Sequence, residues 1–277
     1  MSVRVCVLGS GSKGNCTLLA TETTRLLVDA GLSCKETCAR LEAIGEPADG
    51  LQAVVISHEH NDHTGGVRVL AQRSNLTIHI SRLTYAAVNW DDAPKDGAVN
   101  GAADDTRRRK RELKFEHFTV GEKFAIGDIA VSPFSIPHDA ADPVAFTFEA
   151  QGVRIGMVTD LGFIPEIVKQ RLKGCHCLIF ESNHDLEMLK MGPYPWEVKQ
   201  RIMGRQGHLS NLATAGFLVE DFDGAAEVLV LAHLSETNNH PEIARLSAAQ
   251  ALEQRAGAAR TRLYLASQTA PTEVFWF

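Results

Sequence analysis

Short apolar runs punctuate this chain at residues 3–8, 26–28, 53–56, 77–80, 129–135, 144–150, 154–158, 177–180 and 228–232. Most are rich in β-branched residues and bounded by turn formers, a pattern that predicts strands. Helical periodicity is clearest over 35–44, 165–170, 195–203, 212–220 and 242–255, and Pro241 fits the entrance of the last helix. Strands and helices neither alternate strictly nor segregate. That mixture predicts an α/β (α+β) architecture of two sheets flanked by helices. No repeat or long linker divides the 277 residues, so a single domain over 1–277 is expected, with 90–114 as its most loop-like insertion.

One motif early in the chain invites a wrong turn. Gly9-Ser10-Gly11-Ser12-Lys13-Gly14 follows a strand and satisfies the GxGxxG of dinucleotide sites. Such a site needs a helix next, because the helix N-terminus holds the pyrophosphate. The chain instead continues Asn15-Cys16-Thr17-Leu18-Leu19-Ala20 toward a second apolar run ending at Asp29, which reads as a hairpin. Ser10, Ser12, Lys13 and Asn15 stand as candidates for a phosphate-contacting loop, with a plain tight turn as the alternative.

Bulk properties narrow the class. The N-terminus turns glycine-rich too soon for an export signal, and no apolar stretch reaches the ~20 residues that span a bilayer. A soluble cytosolic protein with no membrane contact is expected. Six cysteines without a CxxC, in a reducing compartment, predict free structural thiols. A net charge of −6 does not mark a nucleic-acid binder, with one local exception. Residues 107–111 are five consecutive cations, suited either to a phosphate backbone or to a solvated loop, and Asp104 and Asp105 reduce their local excess.

The chemistry concentrates in His58-Glu59-His60-Asn61-Asp62-His63, at the end of an apolar run. Imidazole and carboxylate suit zinc, manganese or iron, and one turn cannot aim four ligands at a single ion. Two divalent metals side by side are the economical reading, a pair able to generate hydroxide at neutral pH. The remaining ligands should lie where buried strands open into loops. His138, Asp160 and His233 each follow such a run, and Asp160 could bridge the metals through its two oxygens.

In order and spacing, His58-x-His60-x-Asp62-His63 with His138, Asp160 and His233 resembles the metallo-β-lactamase superfamily across essentially the whole chain. The resemblance implies a four-layered αβ/βα sandwich with the dimetal site at one edge of two packed sheets. It implies His58, His60 and His138 on one ion, Asp62, His63 and His233 on the other, and Asp160 between them. Asp29 matches the family's early aspartate, a support behind the ligands. The diiron oxygen-reducing branch is similar but carries Glu where His60 stands, which points this chain to hydrolysis.

A narrower likeness rests on 9–15, 56–63, 181–185 (Glu-Ser-Asn-His-Asp), 207–211 (Gly-His-Leu-Ser-Asn) and 233–239. These segments look like the WalJ (YycJ-like) branch, whose members are similar to bacterial 5′–3′ exonucleases acting on DNA near replication and repair. His208-Leu209-Ser210 also resembles the histidine that contacts the scissile phosphate in transfer-RNA 3′-processing nucleases. The capping domain of the larger RNase J-type enzymes has no room between Asp160 and His233. The likeness therefore implies a DNA phosphodiesterase with Asp62 and His208 as catalytic groups. Ser10, Ser12, Asn15, His184, His208, Ser210 and Asn211 are the expected substrate contacts, though Ser210 and Asn211 equally suit the cap of a helix. A small-molecule (cyclic) phosphodiesterase or an RNA-processing nuclease is the alternative. A thioester or lactam hydrolase, or a non-catalytic DNA-bound scaffold, stands behind those.

Overall fold

In the computed structural model, residues 2–88, 90 and 111–277 are described. The first half runs β1 (Arg4–Gly9), β2 (Cys16–Ala20), β3 (Arg25–Val28), α1 (Cys34–Ala43), β4 (Ala53–Val55), α2 (Asn61–Thr64), α3 (Val67–Ser74), β5 (Thr77–Ser81), α4 (Arg82–Ala87) and β6 (Lys114–Phe118). Next come β7 (Phe124–Ile126), β8 (Ile129–Ser135), β9 (Val144–Ala150), β10 (Val153–Val158), α5 (Glu166–Leu172), β11 (Cys177–Glu181) and α6 (Leu186–Met191). The chain ends with α7 (Trp196–Met203), α8 (Asn211–Glu220), β12 (Val228–Ala232), α9 (Pro241–Gln254), β13 (Arg262–Leu265) and β14 (Phe275–Trp276).

Two seven-stranded sheets result, in the orders β14-β1-β2-β3-β4-β5-β6 and β13-β12-β11-β10-β9-β8-β7. Strand alternation explains how they stack. Val5 and Val7 of β1 join Leu26 and Val28 of β3 in a core shared with Val131, Phe146, Phe148, Ile155, Met157 and Ile179 of the other sheet. The intervening residues point the opposite way, so Cys6, Leu8 and Leu27 meet Leu41 of α1 and Leu70 of α3. On the far side Val158, Leu178, Phe180 and Leu231 meet Val168 of α5, Phe217 of α8 and Ala248 of α9. Strands covered on both faces read as continuous apolar runs, which is why β1, β8, β9, β11 and β12 stand out in the sequence. The four layers of the αβ/βα sandwich follow.

Some elements fall outside the sequence expectation. β6 and β7 at adjoining sheet edges mix exposed Lys114, Glu116 and His117 with buried Phe118, which blurs the apolar signal. β13, β14 and the short helices α2, α3, α4 and α6 lack the length for a clear period. After β1 the chain turns back into β2, paired antiparallel, so the glycine-rich segment is a hairpin turn with Gly11 and Gly14 at φ 138° and 146°. Of the cationic run, Arg111 alone lies within the described residues, where its Nη1 donates to the Arg73 carbonyl at 3.1 Å. Among the described residues no helix is long and apolar enough to cross a membrane.

Parallel pairing decides where the site can form. β3 and β4 pair with Val28 opposite Val55, and β10, β11 and β12 pair with Val158 opposite Phe180 and Glu181 opposite Ala232. The carboxyl ends of all five strands therefore open at one edge, the place where open α/β sheets carry ligands.

Candidate metal centre

Three residues leave these strand ends in an unusual backbone state. Asp29 after β3, Asp160 just past β10 and His233 after β12 have φ of 57°, 63° and 56°. Left-handed non-glycine residues cost on the order of 1–3 kcal/mol each and concentrate at functional sites. Asp and His are among the side chains that tolerate the region best. The sharp turn lets each side chain fold back over the sheet edge. Gly31 makes the same edge tight, since a Cβ there would sit 1.7 Å from the Asp62 carbonyl oxygen.

Hydrogen bonds then aim the imidazoles. His63 Nδ1 donates to Asp29 Oδ2 at 2.8 Å, and His58 Nδ1 donates at 2.9 Å to Ser57 Oγ, which donates at 2.9 Å to the same Asp29 oxygen. His138 Nδ1 donates to the Gly207 carbonyl at 3.2 Å, and His233 Nδ1 donates to Glu181 Oε1 at 2.9 Å. Four rings thus have Nδ1 engaged and Nε2 directed inward, the arrangement by which outer partners orient metal-binding histidines. His60 is reversed, with Nδ1 inward.

Two nests follow. His60 Nδ1 lies 3.2 Å from His58 Nε2 and 3.3 Å from His138 Nε2. Atoms bound tetrahedrally to zinc at ~2.0–2.1 Å are about 3.3 Å apart, so this trio has the spacing of a coordination face. Asp62 Oδ2 lies 3.5 Å from both His63 Nε2 and His233 Nε2. Asp160 stands between, with Oδ2 3.4 Å from His63 Nε2 and Oδ1 4.0 Å from His138 Nε2. His58-His60-His138, Asp62-His63-His233 and His58-His63-Asp160 each form a group able to hold a metal ion. Asp160 Oδ2 and His233 Nε2 are buried yet make no hydrogen bond, a costly state that a cation relieves. The residues present fit divalent metal.

The electrostatics agree. Burial alone would lower His233, yet Asp160, Asp62 and Glu181 push it up to about 10. Burial likewise opposes a proton on His63, which Asp160 and Asp29 hold well above the ordinary range. Asp160 is the converse: burial raises it, and His233 and His63 hold it well below a normal carboxyl. Protons are held firmly around His63 and His233, whereas burial lowers His58 and His138 on the other side of Asp160.

Glu181 is the residue that the sequence reading passed over. It ends β11 with no exposure, and burial would raise its carboxyl, but the adjoining His208 and His233 hold it down at about 2. Oε1 accepts from the Asp160 amide at 3.1 Å and from His208 Nδ1 and His233 Nδ1 at 2.9 Å each. Oε2 accepts from the amides of Leu161 and Leu209 at 3.2 and 2.9 Å. A charged residue closing an otherwise apolar strand, Cys-Leu-Ile-Phe-Glu, was the available signal. Asp139 was also missed: its Oδ1 lies 3.4 Å from His138 Nε2, and its Oδ2 accepts from Arg201 Nε at 2.5 Å.

The expected substrate contacts divide. His208 is partly exposed at the cleft, with ring centroids 5.2 Å from His138 and 5.1 Å from His233. Ser12 lies exposed on the rim. Ser10 is buried, its Oγ accepting the His233 amide at 2.8 Å and donating to Asn15 Oδ1 at 3.2 Å. Asn15 Nδ2 sits 3.2 Å from Asp62 Oδ2, so both serve inside the protein. The same correction applies to three others. His184 is 1% exposed, and burial lowers it to about 4. Ser210 Oγ caps α8 through the Ala213 amide at 3.1 Å. Asn211 Oδ1 accepts from Ser182 Oγ at 2.7 Å, and its Nδ2 donates to Asn239 Oδ1 at 2.8 Å. The polar atoms of Ser210 and Asn211 are committed within the fold, whereas His184 is buried with its Nδ1 making no hydrogen bond among the described residues.

Comparison with known proteins agrees with this geometry. Residues 24–234 match the family model described as the beta-lactamase superfamily domain. The chain is 35% identical over 257 residues to exodeoxyribonuclease YycJ of Bacillus anthracis, covering 92% of this chain and 91% of that one. It is 32% identical over 248 residues to exodeoxyribonuclease WalJ of Streptococcus pneumoniae, covering 90% and 87%. The metallo-beta-lactamase fold protein YhfI of Bacillus subtilis shares the fold over 100% of both chains, with a TM-score of 0.72 and 16% identity. The chain belongs to the β-lactamase superfamily, in the branch that holds the exodeoxyribonucleases YycJ and WalJ.

Proposed function

We propose that this chain is a dimetal phosphodiesterase, a 5′–3′ exonuclease acting on DNA in replication or repair. The observation that carries the reading is the place of His208. It hangs over Asp160, between the two nests, with Nδ1 on Glu181 and its ring at the mouth of the cleft. A phosphodiester has an anionic oxygen and a leaving oxygen to receive a donor placed there.

We assign zinc or manganese, held by His58, His60 and His138 on one side, by Asp62, His63 and His233 on the other, and by Asp160 between; when bound, the pair supplies Lewis-acid charge for the phosphoryl oxygens and a more acidic water. Asp62, with a side chain 21% exposed against 3% for Asp160, is the carboxylate that reaches the cleft and orients the attacking water. Glu181 Oε1 holds His208 Nδ1 at 2.9 Å, which leaves Nε2 as the atom of that ring available to the phosphodiester. Asp29 and Glu181 act through the imidazoles they aim. Ser12 is the loop residue left to touch substrate.

The relatives' printed activity supports DNA as the substrate. Six free cysteines, five of them buried, support a reducing cytosol. A core drawn from both sheets supports one domain. The test is a substrate panel with manganese or zinc: 5′-labelled single- and double-stranded DNA, RNA, and a small aryl phosphodiester. DNA turnover is expected. Turnover of the small ester alone would overturn the nuclease reading in favour of a small-molecule phosphodiesterase.

A further inference from the structure

A cleft of about 180 Å³ opens beside His208, lined among others by Ser12, Tyr194, Val198, Arg201 and Ile202. Val198, Arg201 and Ile202 are spaced i, i+3, i+4 on α7, so one helix face supplies most of a wall. That face is unlike an ordinary solvent face, because it sets two apolar side chains around one cation.

The wall is tied to the catalytic groups. The His208 amide donates to the Ile202 carbonyl at 2.9 Å, and the Gly207 carbonyl orients His138. A Cβ at Gly207 would lie 2.1 Å from that Ile202 oxygen, so the connection admits no larger residue without displacement. The other end is anchored by Lys199 Nζ, which donates to the Lys190 carbonyl at 2.7 Å. Arg201 spends only Nε, on Asp139. Among the described residues its two terminal nitrogens make no hydrogen bond, and its side chain is 63% exposed. A guanidinium steadied by a carboxylate, with its fork turned to solvent, is suited to a phosphate.

We propose that this wall seats the nucleotide adjoining the scissile phosphate. Its base lies against Tyr194 and the apolar face of Val198 and Ile202, and its next phosphate meets the free fork of Arg201. Stacking on an aromatic side chain accepts any base, which suits an enzyme that moves along a strand without reading sequence. The inference rests on the nuclease reading above, since a small ester has neither the second base nor the second phosphate.

The test compares kcat/KM on a short single-stranded oligodeoxynucleotide with kcat/KM on an aryl phosphodiester, using metal-loaded protein. Tyr194→Ala and Arg201→Gln are each expected to lose about tenfold more on the oligonucleotide than on the ester, the size of one lost stacking or phosphate contact. Tyr194→Phe should restore the oligonucleotide rate, since it keeps the ring. Equal losses on both substrates, no loss on the oligonucleotide, or failure of Tyr194→Phe to restore would overturn the seat. Wild-type protein that hydrolyses the ester and no oligonucleotide would overturn the nuclease reading beneath it.

Discussion

Glu181 Oε1 lies 2.9 Å from His208 Nδ1 and binds His233 Nδ1 at the same distance, so one carboxylate aims both the cleft histidine and a metal-nest histidine. The same side chain accepts three backbone amides across the turns after β10 and before α8. Glu181→Gln keeps the size but leaves one oxygen to serve as acceptor. Its kcat/KM on a phosphodiester should fall about 10- to 100-fold, the usual cost of a lost outer partner. Steady-state kinetics together with metal content check this; wild-type kinetics would remove Glu181 from the site.

Asp160 stands between the nests with one oxygen unpartnered. Asp160→Ala should therefore reduce bound metal and abolish cleavage together, read as metal per chain by emission spectroscopy beside the rate. Chelation of the wild-type protein should lower Tm by roughly 5–10 °C, because an ion held well above its Kd stabilises by about 2.7 kcal/mol or more. The Ala variant should show little of that shift. Full activity in Asp160→Ala would contradict the bridging position.

Asp29 combines a left-handed backbone with three accepted hydrogen bonds, from Ser57 N, Ser57 Oγ and His63 Nδ1. Alanine satisfies neither demand, and Asp29→Ala should destabilise by on the order of 3 kcal/mol. Asparagine tolerates the backbone and keeps one acceptor oxygen, so Asp29→Asn should lose clearly less. Urea unfolding of the two variants gives the comparison; equal losses would mean that the conformation contributes nothing.

Burial pushes the Cys6 and Cys175 thiols up to about 11. A group raised in the folded state stabilises it fully below the unfolded value, near pH ~8.5, and that contribution is lost as pH climbs through the folded value. The urea midpoint should therefore fall between pH ~8.5 and ~11, and the decline should be shallower in a Cys6→Ala, Cys175→Ala double variant. An identical slope in that variant would assign the alkaline loss to other groups.

Much of this site was legible because its ligands sit at strand ends. Asp160 and His233 each close a buried run, and a polar residue there has few structural reasons to exist. His58 to His63 were legible by density alone. Glu181 obeys the same rule, closing β11, but it bonds His208 and His233 from behind and so adds nothing to the ligand pattern. The misassigned contacts fail for a different reason: whether Asn211 faces a cleft or bonds Ser182 depends on side-chain direction after packing, which no local pattern encodes. The fold divides likewise. β8, β9 and β12 are covered on both faces and appear at their full bounds, whereas edge strand β6 has only Phe118 buried among exposed and half-buried residues and disappears.

The most direct measurement is the first labelled product released from 5′-labelled single-stranded DNA by the manganese-loaded protein, followed over time. A labelled mononucleotide from the earliest points, absent in His208→Ala and Asp160→Ala, is the predicted result. A labelled ladder that shortens from the 3′ end, or no DNA product while a small phosphodiester is hydrolysed, would contradict it.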